Sequence, residues 1–299
     1  MLPRRGGMVD SSEGRNVDAL LPWPDECFAP RPKLWMRLTA GYLGFLTLLA
    51  SGLGFWALLS GQYRSAIFLF GSGVYSGLVT SLSLRLLRTR RQMSPTAITL
   101  GKTESTEDGV VIAYSGWLYS CLAMLILLTL VVLTDLVLSG LAGWQLPLFR
   151  SPPGVVSTVI SSAFGLYFLW IVIDMVSGRL ARGRVVLSPD GIYHRSLTFE
   201  HFAPWHAVYT ISAEDAGVPL IVAKVSPCNH TRIHRTSWVG TQQEFKLLPS
   251  AAVRAPSLEV DPAVLYHALR YYHAHPEARP ELATEAGVRR IQTGDLLEL

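Results

Sequence analysis

The sequence predicts a membrane α-helical protein, with four transmembrane helices followed by a C-terminal α+β domain. Three observations lead there. Charged residues make up 16% of the 299 residues, against roughly 25% in an average soluble protein. Hydrophobic residues reach 49% and the mean hydropathy is +0.31, although both ends of the chain are polar, so the apolar residues must be concentrated. They lie in four nearly charge-free runs, each long enough to cross about 30 Å of hydrocarbon at about 1.5 Å per residue. Soluble, secreted and disordered classes are thereby excluded. Cys27, Cys121 and Cys228 are far apart and include no CxxC pair, which suggests neither a disulfide framework nor a zinc ribbon.

Residues 1–33 hold five prolines and no apolar period. They can bury too little to offset the entropy of ordering and are expected to form a mobile cytoplasmic tail. The first apolar run starts only at Leu38 and is long enough to stay in the bilayer, so no cleaved signal is expected. Within a membrane region of residues 34–178, helices are expected near 36–60, 65–87, 117–141 and 155–178. Leu38 to Leu59 is free of charge, and Asp135 and Asp174 are the single charges of the third and fourth runs. Trp35, Trp56, Trp117 and Trp144 sit near predicted ends, as interfacial aromatics do.

Basic residues set the orientation. Arginine supplies 22 of the 26, and they cluster in the N-terminal flank, after the second helix (Arg85, Arg88, Arg90, Arg91) and after the fourth (Arg179, Arg182, Arg184). The other two connections carry one arginine each, Arg64 and Arg150. By the positive-inside rule the chain is a multi-pass protein of the inner (plasma) membrane with both termini cytoplasmic. The two collars end helices at the same face, where each cation beside an anionic leaflet contributes about 1 kcal/mol, so these seven arginines are candidate contacts for anionic headgroups.

A repeat at an offset of 94 pairs Arg85, Leu86, Arg88, Arg90, Ser94, Pro95 and Ile98 with Arg179, Leu180, Arg182, Arg184, Ser188, Pro189 and Ile192. The expected ancestral unit is helical hairpin, basic collar and strand. Its first copy reads as a short strand region, Ile98 to Tyr114, and only the second as a domain, residues 179–299. That domain reads as strands over 184–187, 192–197, 205–213, 219–225, 231–239 and 244–248, rich in β-branched and aromatic residues. A helix follows: Asp261 is its expected N-cap, Pro262 its first residue, and Val264, Leu265, Ala268, Leu269 and Tyr272 share a face. A weaker helix is expected from Pro280 to Ile291.

The entry Leu187-Ser188-Pro189-Asp190-Gly191-Ile192 and the later Phe202-Ala203-Pro204-Trp205-His206-Ala207-Val208 resemble the bacterial pleckstrin-homology-like (PH-like) domain of membrane-anchored proteins. The resemblance covers residues 184–275. It implies an antiparallel bent barrel capped by a helix, acting as a non-catalytic binding module with a protein partner. The first turn lacks the Lys or Arg that phosphoinositide-binding members carry there, which argues against specific inositol-phosphate recognition.

Further residues bear on chemistry. An intramembrane carboxylate costs about 2.5–3.5 kcal/mol on insertion scales and so marks function. Asp135 lies toward the outer end of its helix and Asp174 toward the inner end of its own. They cannot share a proton, and the favoured reading is contact with headgroups or nearby polar groups, with transport as the alternative. Gly73 and Gly77 form GxxxG, with Ala40/Gly44 and Ala50/Gly54 as similar pairs, which predicts close packing within a hairpin or, alternatively, homodimerisation. Cys228, His230 and His234 are spaced CxHx3H, but no fourth ligand is evident and a strand would point alternate residues apart, so no metal or other cofactor is expected. No hydrolase, metalloprotease or nucleotide-binding signature occurs, and no enzyme is expected. With 13 basic and 12 acidic residues over 179–299, the domain lacks the field nucleic acid requires. The function expected is a membrane-anchored binding or scaffold module, the alternative a small transporter or channel subunit using Asp135 or Asp174.

Overall fold

A computed structural model describes residues 21–22, 34–87, 97–102, 107–142, 154–215, 218–239 and 243–297. Four described helices are long and apolar enough to span a membrane: α1 (Leu34–Leu59), α2 (Tyr63–Leu87), α3 (Gly116–Ala142) and α4 (Val155–Val176). Their outward faces carry exposed apolar side chains, Leu48, Val131, Val155 and Leu166 among them, which only lipid would solvate favourably. α1 and α2 form a hairpin whose turn needs a left-handed residue, supplied by Gly61 at φ 73°. Gly73 and Gly77 face α1 of the same chain. A Cβ at Gly73 would lie 3.0 Å from Ser51 Oγ and one at Gly77 3.4 Å from Thr47 Cγ2, and Thr47 Oγ1 donates to Ser76 Oγ at 3.0 Å. The small residues thus serve packing within the hairpin. α3 and α4 pair likewise, Gly140 lying so close to Thr158 that any side chain there would overlap its hydroxyl.

The described strands are β1 (Ile98–Lys102), β2 (Asp108–Ala113), β3 (Arg184–Leu187), β4 (Gly191–Arg195), β5 (Phe199–Pro204), β6 (Val208–Asp215), β7 (Pro219–Val225), β8 (Arg232–Arg235) and β9 (Ala251–Arg254). They form two open antiparallel sheets, ordered β1-β2-β3-β4-β5-β8 and β6-β7-β9, rather than a closed barrel. The first repeat copy does not stand apart: β2 pairs with β3 from Val110↔Leu187 to Ala113↔Arg184. The sheet domain therefore includes β1 and β2 as well as the strands after residue 179, with α3 and α4 inserted between two of its strands. An isolated two-stranded hairpin is marginal in water, and joining the larger sheet buries Val110 and Ile112 completely. Ile98 and Ile192, equivalent in the repeat, are 1% exposed in one core.

Other boundaries move as well. Residues 199–204 form a strand ahead of Trp205, which sits in a 3-10 turn, Trp205–Ala207. The strand expected over 231–239 shrinks to β8. The one expected over 244–248 is instead a single helical turn, α5 (Gln243–Lys246), and β9 follows it. α6 (Pro262–Ala274) begins at Asp261, whose Oδ1 accepts from Ala263 N at 2.9 Å, and Val264, Leu265, Ala268, Leu269 and Tyr272 are buried beneath it. The expected helix from Pro280 splits into a 3-10 segment, Pro276–Ala283, and α7 (Glu285–Thr293), which lies beside β1 with Gln292 Nε2 donating to Ile98 O at 3.1 Å. In the expected tail, Leu21 packs on the domain core and Pro22 O lies 2.8 Å from His267 Nε2. The remainder of residues 1–33 lies outside the described residues.

Candidate functional site

The junction between helices and sheet is built by Arg182. Its Nε donates to Tyr114 O and its Nη2 pairs with Glu259, while Ser115 N donates to Ser257 O at 2.8 Å. The passage from β2 into α3 is thus fastened to the segment ahead of α6. The other collar arginines also touch protein: Arg85 lies over the Trp117 ring at 5.4 Å, Arg184 over Tyr193 at 5.9 Å, and Arg179 is 3.7 Å from Asp174. Arg88, Arg90 and Arg91 lie outside the described residues.

Asp174, 2% exposed, turns to a polar neighbour in the protein: its Oδ2 accepts from Ser237 Oγ at 2.6 Å. Nothing local in the sequence points to Ser237, which arrives by tertiary folding two residues after β8. Asp135 stands at the other end of the helical hairpin, 19 residues beyond Gly116, or about 28 Å along α3, so the two carboxylates are indeed separate. Neither Asp135 oxygen, nor Ser139 Oγ one turn later, has a hydrogen-bond partner among the described residues. Asp135 borders an apolar groove of about 940 Å³ between α2 and α3, with Gly71, Tyr75 and Leu128.

A second, polar pocket of about 480 Å³ lies on the sheet domain, lined by Glu107, Asp190, Tyr193, Glu200, Arg232 and His234, together with His206 and His230. β3 leaves the membrane junction at Arg184 and turns at Ser188 to Gly191, which puts Asp190 at the end of the strands remote from the helices. Burial, then the charge and hydrogen bond of Asp190, push the Glu107 carboxyl above its ordinary value. Arg195 pairs with Glu200 at 2.8 Å, and Glu200 stands opposite His234 in the β5–β8 register, so their side chains share a face.

The CxHx3H spacing is only half realised. Cys228 and His230 occupy one turn, closed by Thr231 N donating to Cys228 O at 3.0 Å. His234 is drawn away into β8, and His206 takes its place: the donor atoms of His206, Cys228 and His230 lie within 4.8 Å of one another. Ser226 N donating to Ala207 O at 2.9 Å brings the two segments together. Hydrogen bonds from Thr231 Oγ1, at 3.3 Å, and from nearby backbone hold the Cys228 thiol below its ordinary value.

Deeper in the sheet domain lies a buried polar cluster that the sequence pattern did not single out. Tyr114 Oη is 2.7 Å from His194 Nε2, and Ser196 Oγ donates to Glu244 Oε2 at 2.6 Å. Burial first, then the neighbouring His201, push His194 down to about 3, and burial pushes His201 down to about 4. Both are neutral at physiological pH, so these two buried imidazoles are uncharged. Comparison with protein-family models, with curated proteins and with solved structures finds no match to this chain.

Proposed function

We propose that the protein anchors a cytoplasmic binding module in the plasma membrane and couples the state of that module to its helices. The observation that carries this reading is the path from the polar pocket to α4. β8 supplies Arg232 and His234 to the pocket, and two residues beyond its end Ser237 holds Asp174 of α4. A partner seated in the pocket would load β8 directly, and the load would reach a membrane helix through one short hydrogen bond. The PH-like resemblance and two antiparallel sheets against a C-terminal helix support a binding module. The collars support the orientation, with anionic headgroups meeting arginines at the cytoplasmic face.

Two measurements test it. Full-length protein isolated from crosslinked membranes should retain a bound partner that Arg232→Glu releases; an unchanged set of co-isolated proteins would overturn the binding reading. In intact cells a membrane-impermeant maleimide should label Ser60→Cys in the α1–α2 turn and leave Cys228 unmodified until the cells are permeabilised. Labelling of Cys228 from outside would invert the topology. The transport alternative rests on the unpartnered Asp135 in its groove, and it takes over if reconstituted vesicles show a solute flux that Asp135→Asn abolishes while the protein still inserts.

A further inference from the structure

We propose that His206, Cys228 and His230 form a binding site for a zinc-class divalent ion, leaving a fourth coordination position open toward the polar pocket. The inference is independent of which partner the pocket takes. Two imidazoles and a thiol are the donor set that a borderline-soft ion selects, and three protein ligands plus an exchangeable fourth is a common arrangement for it. The three donor atoms lie within 4.8 Å of one another. A tetrahedral ion with bonds of about 2.0–2.3 Å needs its donors roughly 3.3–3.7 Å apart, a closure that side-chain rotation provides. The backbone is already in place, because Cys228 and His230 share a hydrogen-bonded turn and Ser226 holds that segment to Ala207, next to His206. The rings of His206 and His230 approach to 5.9 Å at 82°, edge to face, which lets both nitrogens converge on a common point.

The surroundings suit a cation. Three carboxylates, Glu107, Asp190 and Glu200, line the same pocket as His206 and His230 against one arginine, Arg232, so the balance of charge there favours a cation. Binding would release the thiol proton to solvent as the sulfur takes up the ion. It would also fasten the 3-10 turn that carries Trp205, a residue of the domain core, to the loop after β7, and any ion that binds only the folded state stabilises it by mass action.

Cobalt(II) is the probe. Full-length, tag-free protein in micelles, stripped with chelator, should bind one cobalt per chain. The spectrum should show tetrahedral visible bands and a thiolate-to-cobalt band in the near ultraviolet, both removed by excess zinc. Cys228→Ser should remove the thiolate band, and His206→Asn and His230→Asn should each remove the tetrahedral bands, whereas His234→Asn should leave the spectrum intact. Zinc should raise the protease resistance of the wild type and not of Cys228→Ser. All three ligands are at least partly exposed, and resistance in chelator equal to that of wild type checks that each variant folds. Absence of the bands from wild type, their survival in Cys228→Ser or His206→Asn, or their loss in His234→Asn would overturn the site.

Discussion

Trp205→Ala should unfold the sheet domain while the four helices remain inserted. Trp205 is 2% exposed, in one core with Leu187, Val264 and Leu265, and it is held at three points. Its indole Nε1 donates to Ser188 O at 2.8 Å, its backbone N donates to Asp190 O at 3.2 Å, and Arg279 covers its ring at 5.1 Å. Removing such a side chain from a core typically costs about 3–5 kcal/mol, and stranding the buried Ser188 carbonyl adds about 1 kcal/mol or more. A domain stable by about 5–15 kcal/mol loses much of its margin to that change. The helices are held by the bilayer and their own backbone bonds, and they lose nothing. Limited proteolysis of membranes should show new cleavage both in residues 97–114 and in residues 184–297, because the sheet is built from both. Tyr209→Ala, at a side chain 63% exposed, is the control and should shift stability by no more than about 0.5 kcal/mol. Unchanged resistance of Trp205→Ala would remove Trp205 from the core.

What was legible in the sequence was local or compositional. Uncharged runs could only be lipid-facing, Asp261-Pro262 announced a helix start, and the apolar spacing from Val264 to Tyr272 named the face that α6 buries. The strand expected over 205–213 is present in part, but not in the regular register that its alternation implies. Strict alternation would have turned Tyr209 inward with Ala207 and Ile211. Instead Trp205 and Ala207 lie in a 3-10 turn, and an irregularity between Val208 and Thr210 shifts the strand, so Tyr209 faces out while Ile211 stays in.

What stayed hidden depends on partners distant in the chain. Val110 meets Leu187 only after α3 and α4 have been traversed, and no local pattern announces such a pairing. Ala251-Ala252-Val253-Arg254 has weak strand propensity and becomes a strand because β7 offers it an edge, Ala223 opposite Ala251. The same holds for the sites. CxHx3H suggested His234 because it was near in sequence, whereas folding supplies His206, and Asp174 finds Ser237 from still farther along the chain.

Acidification should destabilise the sheet domain steeply between about pH 6 and pH 4.5. His194 and His201 titrate at about 3 and about 4 in the folded protein, and near 6.5 once unfolded. Below pH 6.5 the unfolded chain therefore binds more protons than the folded one, and stability is lost as pH falls, reaching its floor only below the folded values. Each histidine contributes a slope of about 1.4 kcal/mol per pH unit, so the pair gives about 2.7, and by pH 5 the loss is of the order of 4 kcal/mol. Glu244 acts with the opposite sign. Burial raises its carboxyl, the folded state binds that proton first, and acidification returns part of the loss, limited by Arg254 and by the hydrogen bond from Ser196. His194→Gln keeps a polar partner for Tyr114 Oη while removing one titration, and should reduce the slope by about half. Urea unfolding of the full-length protein in micelles, read by pulse proteolysis from pH 7.5 to 4.5, measures it. A slope that His194→Gln leaves unchanged would mean that the charge His194 refuses in the folded state is not what makes the domain acid-sensitive.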